Sequence, residues 1–395
     1  MLVAAAVAFS ILGGVAPRAA PSLTGKKDDT FQTSVPNAIL IEPQSDSILF
    51  EKNADQPVEP ASLAKLMTLE YVFNEIQQGR LKLEDQFTIS ENAWRKGGAP
   101  SHGSTMFAAI HSQVSLGDLI QGIIVDSAND ACIAIAEKLA GNEAAFGALL
   151  TKRARQIGLL HSTFTNATGY SDPGLRVTVH DLVELSRHIM QSYPQFYPYF
   201  AQRDFTWDKI HQENRNPLLG MGLGADGLKT GDTAEAGYGL AGSAVEDDVR
   251  LIIVLTGAKS EKERAEEARK ILEWGFHDFQ SRVLFAEGQT IGGAKVFGGN
   301  VSYVPLVGPG IIRVMMPRNS DEQLTARVDY TGPVPAPVSK GQPIGTLKVW
   351  RGDNLTLEVP LKAAEDVGKG SMSQRAMDGA AELMIGLFQA GVSRL

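Results

Sequence analysis

The spacing of apolar positions divides the chain into regions with different sequence patterns. As far as about residue 278, short apolar runs of strand length alternate with longer stretches in which apolar residues recur every three or four positions. This mixture is typical of a sheet packed against helices. The runs 38–42 and 47–51 are separated by turn-forming residues. They predict a hairpin at the start of the region.

The end of the same region carries a second group of strand-like runs. A strand is predicted to open at Lys229. The runs 238–245 and 249–256 are joined by a short acidic turn, which predicts another hairpin. Helical spacing then returns over 260–276.

From residue 279 the pattern changes to short alternating runs that Gly and Pro interrupt, which predicts an all-β domain over 279–365. The end of the chain, 371–395, returns to helical spacing and predicts an amphipathic helix. Such a helix either anchors the protein to a membrane surface or packs against its own domain or a second copy. Its apolar stripe consists of Met377, Ala381, Met384 and Phe388.

The first 20 residues are apolar and then small, which predicts a secretory signal peptide and an exported protein. Their apolar core is too short to span a bilayer as a mature helix. A buried N-terminal helix is the alternative. Residues 21–35 are polar and predict a linker.

Composition narrows the class of protein. A chain of 395 residues with 43% hydrophobic residues is expected to form two domains with a sizeable core. The net charge of −8 argues against nucleic acid as a partner. The single cysteine, Cys132, excludes an intramolecular disulfide and a cysteine-based zinc site. We expect no metal and no cofactor.

One short stretch after Pro60 carries candidate chemistry. Ser62 and Lys65 lie three residues apart, and proline suits the start of a helix. Residues at i and i+3 share a helix face, so the hydroxyl and the amine are expected to meet. A serine needs an adjacent base to become a nucleophile, and a lysine with a lowered pKa can supply it. By itself, the spacing also fits a surface cap with a solvated lysine.

Two further motifs follow in order along the chain: Ser127-Ala128-Asn129 and Lys229-Thr230-Gly231. The first lies in a break between two helical stretches, where Ser and Asn also suit a helix N-cap. Together with Ser62-x-x-Lys65, the motifs resemble the signature of penicillin-binding proteins and serine β-lactamases. More closely, residues 35 to 275 resemble the low-molecular-mass D-alanyl-D-alanine carboxypeptidases.

The resemblance implies an α/β (α+β) catalytic domain over 36–278, an antiparallel sheet flanked by helices and built from both ends of the region. It also implies the reaction. Ser62 attacks the penultimate D-Ala carbonyl of a peptidoglycan stem peptide, Lys65 takes the proton, and Ser127 delivers a proton to the leaving D-Ala. Asn129 holds the peptide amide and the Lys65 ammonium. β-Lactam antibiotics are expected to acylate the same serine.

The substrate's carboxylate needs cations and hydroxyl donors, which Lys229, Thr230 and Arg215 supply, with Gly231 beside them. Lys229 is expected to lower the pKa of Lys65. The resemblance places an oxyanion hole at the backbone N–H groups of Ser62 and Asp232. Asp232 departs from the uncharged residue or histidine that many relatives have there. Its carboxylate is expected to repel the substrate's own carboxylate if it points into the cleft.

The loop over 166–174 is rich in turn-forming residues, and the resemblance places it at the border of the cleft. No glutamate occurs between Glu143 and Glu184, so the deacylating base of a class A β-lactamase is not expected. The alternatives are a β-lactamase or esterase and a non-catalytic penicillin-binding protein. The carboxypeptidase hypothesis places the protein in the periplasm, at the outer face of the inner membrane.

Overall fold

The computed structural model describes residues 31–319, 323–352 and 354–379. The chain divides into two compact units. One is formed by Ile48–Asp278 and the segment that ends at Pro43, and the other mainly by the residues from Phe279 onward. The predicted signal peptide lies outside the described residues.

The unit that contains Ile48–Asp278 mixes strands and helices. Its strands are β1 Asn37–Glu42, β2 Ser47–Lys52, β3 Gln86–Thr88, β4 Gln113–Ser115, β5 Asp204–Trp207, β6 Ile210–Glu213, β7 Ala225–Thr233, β8 Gly237–Glu246 and β9 Val249–Ala258. Its helices are α1 Lys65–Gln77, α2 Glu91–Gly97, α3 Leu116–Gln121, α4 Asn129–Ala140, α5 Glu143–Gln156, α6 Val179–Ser192 and α7 Glu261–Asp278.

The main sheet has the strand order β2-β1-β9-β8-β7. Antiparallel pairs join β1 to β9, β9 to β8 and β8 to β7, so both ends of the region build one sheet. The five consecutive residues Leu251–Leu255 of β9 are all buried, which requires cover on both faces of the sheet. Both α6 and α7 pack against β9. The predicted α+β class is confirmed.

Two predicted element boundaries differ from the structure. Ser62 lies in a 3₁₀ turn, Ala61–Ala64, and the α-helix begins only at Lys65. Ala61 has a positive φ of 48°, so the chain cannot enter a regular helix at Pro60. The strand predicted to open at Lys229 begins at Ala225, because its pairing with β8 continues through a bulge to Ala244.

The second unit is all-β over most of its length, as predicted. Its larger sheet has the order β14-β16-β17-β12-β11-β15, and β10 pairs with β13. A buried aliphatic core includes Val304, Leu306 and Leu347. The strands are β10 Phe279–Phe285, β11 Gly292–Phe297, β12 Tyr303–Val307, β13 Ile312–Pro317, β14 Leu324–Tyr330, β15 Val334–Pro335, β16 Pro343–Arg351 and β17 Asn354–Ala363.

A helix occupies 372–379, at the beginning of the predicted C-terminal helix. Ser371 and Gln374 cap its start reciprocally, since each backbone N–H donates to the other's side chain. Most of the predicted apolar stripe falls at 380–395, outside the described residues. Among the described residues, no helix is long and apolar enough to cross a membrane.

Candidate active site

The predicted nucleophile and its base are in contact. Lys65 is fully buried, and its Nζ donates to Ser62 Oγ at 2.7 Å. The 3₁₀ turn brings the serine over the first residue of α1, so the i,i+3 spacing still joins the two side chains although the helix begins later than predicted. A serine hydroxyl held against a buried amine is a candidate activated nucleophile.

The pKa of Lys65 is lowered to about 8, first by burial and then by the positive charge of Arg215. Asp232 and Asp130 oppose this shift by raising the pKa. Lys229, to which the sequence analysis assigned this lowering, also interacts with Lys65, since the positive charge of Lys65 lowers the pKa of Lys229. Burial is the larger cause because a charged amine loses its hydration in the interior.

A second Ser–Lys pair lies beside the first. A π-helical turn, Gly122–Asp126, ends at Ser127, which has a left-handed φ of 59°. Lys229 is buried, and its Nζ donates to Ser127 Oγ at 2.9 Å and to its neighbour's carbonyl, Thr230 O, at 3.1 Å. The N-cap residue of α4 is Ala128, with no side-chain cap, so the N-cap interpretation of Ser127 is wrong.

The pKa of Lys229 is lowered well below its usual value by burial and by the positive charges of Lys65 and Arg215. Two buried amines therefore share one small region. Each is best accommodated when the other is neutral, which favours proton exchange within the cluster.

The strand β7 passes very close to the nucleophile turn at Gly231. A Cβ atom on this residue would lie 2.8 Å from the backbone nitrogens of both Ser62 and Leu63. Only glycine permits this approach. It places the edge strand against the N–H of the nucleophile, where the sequence predicts an oxyanion hole.

Asp232 follows Gly231 on β7, and its side chain is exposed. Successive strand residues point to opposite faces, so its side chain leaves the strand on the face opposite to Lys229 and Gly231. It lines an open pocket with Glu235, Tyr238 and Lys259.

Arg215 is exposed and follows β6. Its Nη1 donates to Ser104 Oγ at 2.5 Å, and the carbonyl of the same serine accepts from the Asn129 backbone N–H at 2.9 Å. Ser104 thus links the predicted carboxylate-binding arginine to the Ser127 turn. Thr230, the residue between Lys229 and Gly231 on β7, is buried, with only 5% of its area exposed.

The sequence missed two buried acids beside Ser127. Asp130 accepts from Thr105 Oγ1 at 2.6 Å and from the backbone N–H groups of Met106 and Ala108 at 3.2 Å, which fixes the loop above the turn. Asp126 is 1% exposed, and burial raises its pKa to about 7. Its Oδ1 has no hydrogen-bond partner among the described residues.

The sequence also missed Tyr170. The Asn129 Nδ2 group donates to the Tyr170 hydroxyl at 3.0 Å, and this hydroxyl donates to Lys96 O at 2.8 Å. The loop was predicted to border the cleft, but nothing in its spacing indicated which side chain reaches the Ser127 motif. Within the described ranges, no cluster of three His, Cys, Asp or Glu side chains could hold a metal ion.

The fold and the paired Ser–Lys contacts define a serine acyl-transfer enzyme of the penicillin-binding class. Residues 24–260 match the family model of D-alanyl-D-alanine carboxypeptidase, and 279–369 match the model of the penicillin-binding protein 5 C-terminal domain. The chain belongs to the D-alanyl-D-alanine carboxypeptidase family.

Individual relatives resemble between 63 and 87% of the chain. D-alanyl-D-alanine carboxypeptidase DacC of Escherichia coli is 37% identical over 343 residues, 86% of each protein. The structure of penicillin-binding protein 5 from Haemophilus influenzae has a TM-score of 0.78 and 34% identity, and the match covers 87% of this chain and all of that one. Penicillin-binding protein D2 of Listeria monocytogenes in its ampicillin-bound form has a TM-score of 0.55 and 28% identity, covering 63% of this chain and all of that one.

Proposed function

We propose that this protein is a serine-type D-Ala-D-Ala carboxypeptidase that removes the terminal D-Ala from peptidoglycan stem peptides and is acylated by penicillins. The observation that carries the proposal is the pair of buried Ser–Lys contacts, Ser62–Lys65 and Ser127–Lys229, on adjoining segments. The names of the relatives support the substrate, and the ampicillin-bound relative supports the antibiotic as a second ligand.

Acylation begins when Ser62 Oγ attacks the carbonyl carbon of the penultimate D-Ala and its proton passes to Lys65 Nζ. With a pKa of about 8, about a tenth of Lys65 is neutral at pH 7 and able to accept that proton. The carbonyl oxygen becomes an oxyanion, for which the backbone N–H groups of Ser62 and Asp232 are the proposed donors.

The C–N bond then breaks, and the departing D-Ala amine takes a proton from the Ser127 hydroxyl. The buried Lys229 amine contacts that hydroxyl and can restore its proton. The Lys65 ammonium passes the proton it took from Ser62 to Lys229 through Ser127, which leaves Lys65 neutral again. Water then attacks the acyl carbonyl and gives its proton to Lys65. The bond between the carbonyl carbon and Ser62 Oγ breaks, Lys65 returns the proton to Ser62 Oγ, and the shortened peptide leaves.

Lys229, Thr230 and Arg215 are the proposed partners of the substrate's terminal carboxylate, with Gly231 allowing the strand to reach the site. Asn129 is the proposed ligand of the peptide amide. The positive charge of Arg215 favours an anionic end group over a neutral one, and such an anion would in turn favour the protonated form of Lys229.

One experiment separates this function from its alternatives. One sample of the purified protein is incubated with a fluorescent penicillin, and the lifetime of its label is followed. A second, unlabelled sample is incubated with a D-Ala-D-Ala peptide, and its D-Ala release is followed. A carboxypeptidase retains the label and releases D-Ala. Rapid loss of label without D-Ala release would show a β-lactamase, and stable label without D-Ala release would show a non-catalytic penicillin-binding protein.

We also assign catalysis to residues 36–278, which the β domain over 279–365 follows. Removal of a signal at 1–20 would leave the enzyme in the periplasm, with 21–35 as a linker. The tail 371–395 would hold it at the outer face of the inner membrane. Its stripe of large apolar residues supports this location.

The location has its own test. Deleting 371–395 is expected to leave activity on a soluble peptide unchanged and to release the protein from the membrane fraction. Equal membrane fractions for the truncated and full-length proteins would contradict the anchor. Truncation within the β domain is not a suitable control because it removes part of a core.

A further inference from the structure

The loop that carries Tyr170 has a fixed backbone. Asn166 Oδ1 accepts from the Gly169 N–H at 2.8 Å, and Asn166 Nδ2 donates to the carbonyl of Tyr170 at 3.0 Å. Thr68, on α1, donates its hydroxyl to Ala167 O at 2.9 Å. The loop is therefore tied to itself and to the helix that begins at the catalytic lysine.

The same loop lies directly against the nucleophile turn. Gly169 has a φ of 83°, and a Cβ atom there would lie 1.9 Å from Ala61 O. A residue with a side chain fits neither this conformation nor this space. The position of Tyr170 is thus fixed relative to Ser62.

The hydroxyl of Tyr170 has one proton, and its neighbours decide where that proton goes. The Lys96 carbonyl can only accept, so the 2.8 Å contact uses the tyrosine proton. Towards Asn129 the hydroxyl oxygen can then only accept. The end of the amide that faces Tyr170 must therefore be the NH₂ group, as the 3.0 Å contact has it.

This constraint orients a side chain with two ends of opposite hydrogen-bonding character. The Asn129 amide oxygen is held on the side away from Tyr170, and the proposed function has it accept there from the Lys65 ammonium or from a substrate N–H. If the amide rotated by half a turn, its oxygen would face the hydroxyl oxygen, and no proton would remain between them. The Lys96 carbonyl, acting through the Tyr170 hydroxyl, thereby decides which end of the Asn129 amide faces the cleft.

We propose that Tyr170 is a positioning residue for acylation, which fixes the orientation of the Asn129 amide through its hydroxyl. The inference rests on the proposed function, because it assumes that Asn129 binds the substrate or Lys65. The Tyr170 side chain is partly accessible, with 38% of its area exposed. Loss of the hydroxyl is therefore expected to cost little stability.

The test is a double-mutant cycle with Tyr170→Phe and Asn129→Ala, in which the second-order rate of acylation by a penicillin is measured in the full chain. Tyr170→Phe is expected to slow acylation about 3- to 10-fold, the value of one hydrogen bond. In the Asn129→Ala background the same change is expected to alter the rate by less than about twofold, because the hydroxyl acts only through Asn129. Tyr199→Phe, a tyrosine outside the site, is the matched control.

Three outcomes would overturn the inference. Tyr170→Phe could acylate at the unsubstituted rate, or could slow acylation equally in the Asn129→Ala background, or could lower the melting temperature by more than about 5 °C, as a structural residue would. Absence of acylation in the unsubstituted protein would remove the proposed function as well. Normal acylation of the unsubstituted protein, together with an equal acylation rate for the Tyr170→Phe variant, would contradict this inference but not the proposed function.

Discussion

Two Ser–Lys pairs occupy the site, and they differ in how the chain makes them. Ser62 and Lys65 are three residues apart within one turn, whereas Ser127 and Lys229 are separated by 102 residues and meet across a helix start and a strand. The amine–hydroxyl distances are nearly equal, 2.7 and 2.9 Å. Similar contacts therefore arise from local geometry in one case and from packing in the other.

The surroundings of the two amines also differ. Lys229 makes a further contact with the carbonyl of Thr230, whereas the Lys65 amine has a pKa near 8 that suits proton exchange at neutral pH. The comparison suggests a division of labour. In the proposed mechanism, Lys65 activates the attacking hydroxyl, and Lys229 restores the proton of the hydroxyl that protonates the leaving group.

The largest expected effect separates the two serines. Ser62→Ala is expected to abolish covalent labelling by penicillin, because Ser62, in the 3₁₀ turn before α1, supplies the hydroxyl that the Lys65 amine contacts. Ser127→Ala is expected to slow acylation about 100- to 10,000-fold while a labelled product still forms, since proton delivery is impaired and the nucleophile remains. Intact mass measurement over several hours distinguishes these results.

Ser171→Ala, in the exposed loop, is the matched serine control and is expected to be labelled normally. Covalent labelling of the Ser62→Ala protein would contradict the assignment of the nucleophile.

The next-largest effect is expected at Gly231, where β7, the strand that carries Lys229, contacts the turn that carries Ser62. Gly231→Ala places a methyl group 2.8 Å from the nitrogens of Ser62 and Leu63, so either β7 or the nucleophile turn must move. We expect acylation to fall about 100-fold, as misplacement by about 1 Å commonly costs. Stopped-flow labelling gives the rate, and circular dichroism gives the melting temperature.

Gly220→Ala is the control, because a Cβ atom there meets nothing within 4 Å. Equal acylation by Gly231→Ala and the unsubstituted protein would show that the close approach is not needed.

A smaller effect concerns the pH dependence of the Lys65 pair. Because the base must be neutral, acylation is expected to rise with pH through the Lys65 pKa of about 8. Arg215→Gln removes a positive charge that lowers this pKa, so the rising limb is expected to move to higher pH. Penicillin acylation measured from pH 6 to 10 gives the position of the limb separately from its amplitude.

Lys152→Gln removes an exposed positive charge on α5 and is expected to leave the limb unchanged. A shift of the Arg215→Gln limb to lower pH would contradict the sign of the charge effect.

The smallest expected effect concerns Asp232. Its exposed side chain leaves the strand on the face of Thr230, a proposed carboxylate partner, and solvent screens its repulsion of a substrate carboxylate. Asp232→Asn is expected to raise kcat/KM on a D-Ala-D-Ala peptide by no more than about threefold at low salt, mostly through KM, with less gain at high salt.

Steady-state kinetics at two salt concentrations, with Glu246→Gln on β8 as the control, measure this difference. A clear loss of activity in Asp232→Asn would show that the carboxylate has a positive role.

The sequence by itself determined the elements whose contacts are local. The spacing of Ser62 and Lys65 predicted their contact, since residues three apart share one side of a helical turn whether it is 3₁₀ or α. Apolar runs separated by turn residues predicted two hairpins of the main sheet. The change to short alternating runs after residue 278 predicted the all-β region.

Only the tertiary structure decided the rest. The contact of Lys229 with Ser127 depends on how β7 lies against the turn before α4, and no local spacing specifies this. The pKa of Lys65 follows from burial, which depends on every element packed around it. The Tyr170–Asn129 contact likewise required a loop docked against the nucleophile turn, because a hydrogen bond between distant residues exists only after packing has brought them together.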